Sequence, residues 1–117
     1  MRAGWWLAVG GLLHGCGAKC ERVESEAIDR VQEALAYPTR CMNDSDCVEV
    51  ALAGSCFDAC SVAAHEDDAR EVERVITEVE AEVCVDYGGC ELVVPPCVPL
   101  GPPLCLNERC TSGAAAD

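Results

Sequence analysis

The chain has 117 residues, 21 acidic side chains against 8 basic ones and a formal charge of −13; half of it is hydrophobic, only 4% is aromatic, and 11 residues are cysteine. So acidic a surface excludes nucleic acid and anionic headgroups as natural partners, because both are gripped by cationic surface, and leaves a cationic partner or simple solubility open. The length allows one small domain, and the cysteine count points to an oxidising compartment.

Met1-Arg2 followed by an apolar run from Ala3 to Leu13 reads as the n-region and h-region of an export signal, residues 1–15. The run is well short of the roughly 20 residues that span a bilayer, and no later stretch approaches that length. Leu13-His14-Gly15-Cys16 resembles the bacterial lipobox, with leucine three residues before the cysteine and a small residue directly before it. That resemblance implies cleavage before Cys16 and thioether lipidation of Cys16, with residues 16–19 as a short tether and no transmembrane segment in the mature protein. The alternative is an ordinary secretory signal cut after Ala18, giving a soluble secreted protein. Either way ten cysteines remain, Cys20, Cys41, Cys47, Cys56, Cys60, Cys84, Cys90, Cys97, Cys105 and Cys110, an even set that reads as five disulfides. About 945 pairings are open to ten cysteines, so the connectivity stays undecided.

With Trp5 and Trp6 lost with the signal, the rings left to a core are Tyr37, Phe57 and Tyr87. Crosslinks must supply what large apolar side chains supply elsewhere, at about 2–4 kcal/mol each. The stapled domain is placed at residues 20–112 and a frayed tail at 113–117.

Val23, Ala27, Val31, Ala34 and Leu35 recur at steps of three and four and predict a helix over 20–37, stopped by Pro38. Cys41-Met42-Asn43-Asp44-Ser45-Asp46-Cys47 is a polar loop whose Asx side chains suit local turns; it lacks the glycine and distant glutamate of a calcium loop. Val48 to Leu52 reads as a half-buried strand ended by Gly54-Ser55. Ala69, Val72, Ile76, Val79 and Val83 predict a second helix over 61–84, with Ser61 as N-cap, acidic residues in its first turn and a Glu66–Arg70 pair. Tyr87-Gly88-Gly89-Cys90 predicts a turn, residues 91–94 a short strand ended by Pro95-Pro96, and residues 104–106 and 110–111 the arms of a hairpin turned by Asn107-Glu108-Arg109. This order gives a small disulfide-rich α+β domain, two helices packed on a short two- or three-stranded antiparallel sheet.

Chemical motifs are sparse. Cys56, Cys60 and His65 could suggest zinc, but the spacing is not C-x2-C and the compartment is oxidising, so structural disulfides are expected and no metal or cofactor. No C-x-x-C redox pair and no Ser-His-Asp signature is present, and the acidic run of the second helix reads as a solvated face. The expectation is a chain without catalysis.

Two resemblances add to this reading. Cys41 to Cys47, as C-x-x-D-x-D-C, looks locally like whey-acidic-protein (four-disulfide core) inhibitors, although the adjacent Cys-Cys pair of that family has no counterpart here. The whole layout of lipobox, helix, C-x-x-D-x-D-C-V, C-x3-C, long helix and a closing Cys105-Leu106-Asn107-Glu108-Arg109-Cys110 is similar to small cysteine-rich predicted lipoproteins of Gram-negative bacteria. That similarity implies a lipid-anchored cell-envelope protein, structural or protein-binding, without an assigned activity. Gly17 after the lipidated cysteine, where aspartate would retain a protein in the inner membrane, implies the outer membrane. The expected partners are the membrane, through the anchor, and another envelope protein. The other function considered is protease inhibition, with Val98 or Leu100 presented by the proline-stiffened loop from Cys97 to Cys105.

Overall fold

The computed structural model describes residues 15–113. Most of the segment expected to be an export signal, residues 1–14, and the tail from Ala114 onward lie outside the described residues. The chain forms helix α1 (Gly15–Glu33), strand β1 (Cys47–Ala53), strand β2 (Asp58–His65), helix α2 (Glu66–Glu82), and a terminal hairpin of β3 (Pro103–Leu106) and β4 (Arg109–Ser112). Single 3-10 turns cover Asp44–Asp46 and Cys84–Asp86. No helix among the described residues is long and apolar enough to cross a membrane.

The α+β class and both helices follow the sequence pattern, but the sheet is not one unit. β1 and β2 form one antiparallel pair, with Cys47 opposite His65 and Val50 opposite Val62, and β3 and β4 form a second, with Cys105 opposite Cys110. β4 packs beside β2 without ladder bonding, and the Cys47–Cys110 bridge joins the two pairs.

The largest correction concerns residues 61–65. Ser61 is not an N-cap; it pairs with Ala51 in β2, and α2 starts five residues later than the periodicity suggested. Ser61 to Ala64 are small or β-branched and fit either element, so pairing with β1 decides. His65 is the cap instead: its Nδ1 accepts the Asp67 backbone N–H at 3.0 Å. Arg70 pairs with Asp67, one turn back, rather than with Glu66.

At the other helix, α1 already includes residues 16–19, so the expected tether is helical backbone. Its α-helical ladder ends at Glu33, and the last turn tightens through Ala34→Val31, Leu35→Gln32 and Ala36→Glu33 bonds before Pro38. Residues 91–94 form no strand. Gly113, assigned to the frayed tail, donates to the Pro102 carbonyl at 2.8 Å and extends the hairpin.

The core lies between the two antiparallel helices and the β1–β2 pair. It consists of Val23, Ala27 and Val31 from α1, Val50 and Leu52 from β1, Ala64 from β2, Ala69, Val72, Val75 and Val79 from α2, and Cys56, Phe57, Val83 and Tyr87 from the connections. Nearly all are small, and Phe57 is the one large ring held fully inside. Cys41 and Cys56 are also wholly buried, so their sulfurs serve as core volume as well as crosslinks.

The helices run in opposite directions, which creates two ends. Arg30 of α1 reaches Glu78 and Glu82 of α2, and the Tyr87 hydroxyl donates to Glu24 at 2.5 Å. One end therefore gathers the start of α1, the end of α2, the β1–β2 turn and Cys90. The opposite end gathers the last turn of α1, the start of α2 and the β3–β4 hairpin, tied by Thr39 donating twice to Asp68.

Candidate functional site

All ten cysteines of the expected framework are paired: Cys20–Cys90, Cys41–Cys105, Cys47–Cys110, Cys56–Cys84 and Cys60–Cys97. Cys56 and Cys60 take separate partners and His65 is engaged at its helix cap, so the three residues that suggested zinc do not assemble. The sulfurs of Cys41, Cys47 and Cys110 do approach one another, but as members of two neighbouring disulfides they hold no thiolate to offer a metal.

The polar loop from Cys41 to Cys47 is a structural knot. The Asp46 carboxylate accepts the Met42 and Asn43 backbone N–H groups at 2.8 and 3.1 Å, which holds it below its ordinary range. Asp44 accepts the Cys105 N–H at 2.8 Å, so the loop and the terminal hairpin fix each other beside the Cys41–Cys105 bridge. The carboxylates that might have met calcium are thus spent on backbone donors.

The acidic residues of α2 divide between solvent and internal ties. Arg74 binds Glu71 and Glu78, drawing the Glu71 carboxyl below its usual range, and Arg30 adds the cross-helix pairs. A shallow groove of about 290 Å³ between the helices is lined by these ion-paired groups. A second, of about 190 Å³, lies between Leu35, Pro38, Val62, His65, Asp68 and Arg109. A third, of about 340 Å³, lies between Pro38, Thr39, Arg40 and the Asn107–Arg109 turn; all three are at, near or below the lower bound of ordinary small-molecule pockets, roughly 300 Å³. Among the described residues no polar or charged side chain is buried.

What the fold does display is the segment from residue 91 to 101. Its ends are held by Cys90–Cys20 and Cys97–Cys60, and the chain beyond by Cys105–Cys41. Among the described residues its backbone makes no hydrogen bond, while Val93, Val94 and Val98 are 80%, 64% and 70% exposed. Pro95, Pro96 and Pro99 fix their own φ and push the residues before them toward extended backbone. The result is an extended apolar ribbon, restrained at both ends, with free N–H and C=O groups.

Of the two loop residues singled out in the sequence, Val98 is open to solvent and Leu100 is half-buried. Cys97 and Cys105 bound the loop but pair elsewhere, so it is a crossing strap and not a closed ring. Val93 and Val94 were missed because Leu92-Val93-Val94, apolar and in part β-branched, led residues 91–94 to be read as a short strand. The two prolines that follow were the signal that could have redirected that reading.

No protein-family model, curated protein or solved structure matches this chain.

Proposed function

We propose that this chain is an exported, lipid-anchored cell-envelope protein whose disulfide-stapled domain binds another protein and carries out no catalysis. The observation that carries the reading is the strap around Val98, an exposed aliphatic side chain on proline-stiffened backbone with unpaired hydrogen-bonding groups. A partner can add main-chain bonds to such a strand and take Val98 into a pocket, with little chain entropy left to lose. The export part rests on the apolar leader and is supported by five disulfides, which suit an oxidising compartment; the anchor part rests on Leu13-His14-Gly15-Cys16 alone. Gly17 favours the outer membrane.

A photocrosslinking residue at position 98, used in intact envelopes, should give one discrete adduct. The same residue at exposed Glu26 on α1 should not, and competition by added wild-type but not Val98→Asp domain should remove the adduct. Failure of the position-98 probe to yield any adduct would refute the binding role. A Cys16→Ser variant should move from the detergent to the aqueous phase on phase partitioning; retention in detergent would refute the anchor.

The same strap supports a second reading, inhibition of an extracellular protease, because a restrained extended segment is what a protease cleft accepts. The exposed Val98 is then the residue entering the specificity pocket. A panel of serine proteases untouched at about micromolar domain, an affinity near −8 kcal/mol, would remove this reading.

A further inference from the structure

The Cys20–Cys90 bridge ties the beginning of the ribbon to the first turns of α1. Cys16 precedes Cys20 by four residues of that helix, about 6 Å of axial rise. Val93 and Val94 follow Cys90 by three and four residues, and Cys97 is fastened to Cys60 close to the β1–β2 turn. A few residues of chain reach at most about 10–14 Å, so both valines stay at the end of the domain from which residue 16 emerges.

Val85, 65% exposed, lies at the same end, in the turn bridged by Cys84 to Cys56. So do Lys19 and Arg22, both exposed. Among the described residues neither makes an ion pair, whereas Arg30, Arg40, Arg70 and Arg74 all do; Arg109, in the hairpin at the opposite end, is the other exposed cation without one. A strongly acidic protein thus places two unpaired cations beside three exposed valines at the end where its lipid would be attached. Apolar side chains beside long cationic ones suit a bilayer interface, where the aliphatic groups enter the acyl boundary and the charged tips meet headgroup phosphates.

We propose that this end of the domain is a membrane-contact face: Val85, Val93 and Val94 rest in the interface of the bilayer that holds the Cys16 lipid, with Lys19 and Arg22 at phosphate level. The contact fixes the orientation of the domain, aiming the β3–β4 hairpin and Leu106 away from the bilayer. The inference rests on the lipid anchor of the preceding reading. Glu21, Asp86 and Glu91, all exposed at the same end, offset the two cations and direct the face toward zwitterionic lipid and away from anionic lipid.

The mature lipidated chain carries no tryptophan once residues 1–15 are removed. Single Val94→Trp and Leu106→Trp variants can therefore be placed in phosphatidylcholine vesicles with brominated acyl chains. Position 94 should show blue-shifted emission and at least about a twofold loss of intensity, and position 106 should match unbrominated controls. Adding Lys19→Glu and Arg22→Glu to the Val94→Trp variant should reduce the quenching while co-flotation with the vesicles persists. Co-flotation with equal, unquenched emission from both positions overturns the membrane face alone. Loss of co-flotation with a protein mass lacking lipid overturns the anchor, and the face with it.

Discussion

Gly54 offers the sharpest test of the packing. A methyl group built at its α-carbon would sit 2.6 Å from Phe57 Cε1 and 2.5 Å from Glu80 Oε2. The ring cannot retreat, because Phe57 is 1% exposed in the middle of the core. The carboxylate can move, but only by releasing the Ser55 backbone N–H at 2.8 Å and the Ser55 hydroxyl at 2.6 Å. Forcing a methyl into packed space costs about 1–3 kcal/mol, and losing two exposed charge-assisted bonds adds about 1 kcal/mol. Gly54→Ala should therefore destabilise by about 2–4 kcal/mol, which for a domain of this size lowers Tm by roughly 10–20 °C. Thermal unfolding of the oxidised protein, followed by far-UV circular dichroism, measures it. Gly88 is the control: nothing lies within 4 Å of its added methyl, and Gly88→Ala should fall within about 3 °C of the parent. A Gly54→Ala protein melting as close to the parent as the control does would refute the assigned contact of the β1–β2 turn with Phe57 and α2.

Other perturbations probe the crosslinks, the hairpin and two titrations. Replacing Cys20 and Cys90 by serine opens a loop of 70 residues in sequence, but the Cys41–Cys105 bridge leaves a covalent path about half as long, so the expected loss is about 4 kcal/mol, read by urea denaturation. Asn107 and Glu108 turn the terminal hairpin with φ of 53° and 64°, a geometry that suits Asn-Gly far better than Asn-Glu. Glu108→Gly should raise Tm by several degrees despite losing the exposed Arg40 pair, and a lower Tm would contradict the turn assignment. The hydrogen bond to Glu24 raises the Tyr87 phenol to about 12. Its folded value lies above its ordinary one of 10.0, so the contribution of this bond is complete below pH 10 and is lost as pH rises through about 12. Ultraviolet phenolate titration should show that late component, and Glu24→Gln should move it down. Asp46 is held below its ordinary value of 3.8, so its contribution is present above that pH and fades as pH falls through the lowered value. Asp46→Asn should flatten the acid limb of stability, measured as Tm between pH 2 and pH 5.

Much of this protein is legible from residue order. The apolar steps of Val23, Ala27 and Val31, and of Ala69, Val72 and Val79, face the core as their spacing requires, because helical periodicity is a local property. The even cysteine set anticipates complete pairing, and Asn107-Glu108 sits at the hairpin turn. Where local signals were ambiguous, the sequence misled. Ser61 to Ala64 satisfies a helix start as readily as a strand, and only the partner β1 settles it. Glu91 to Val94 has strand propensity, but a strand requires a neighbour, and this stretch hydrogen-bonds to none among the described residues.

Composition and spacing by themselves determined the class of molecule: acidic, small-cored, with two amphipathic helices and ten cysteines to staple it. Tertiary structure decided which cysteines meet, that the strands form two pairs and not one sheet, and that Val93, Val94 and Val98 stand in solvent. The reason is physical. Periodicity and turn chemistry act over a few residues, whereas disulfide pairing, strand pairing and burial depend on groups up to 70 residues apart in the chain, which only the folded arrangement brings together.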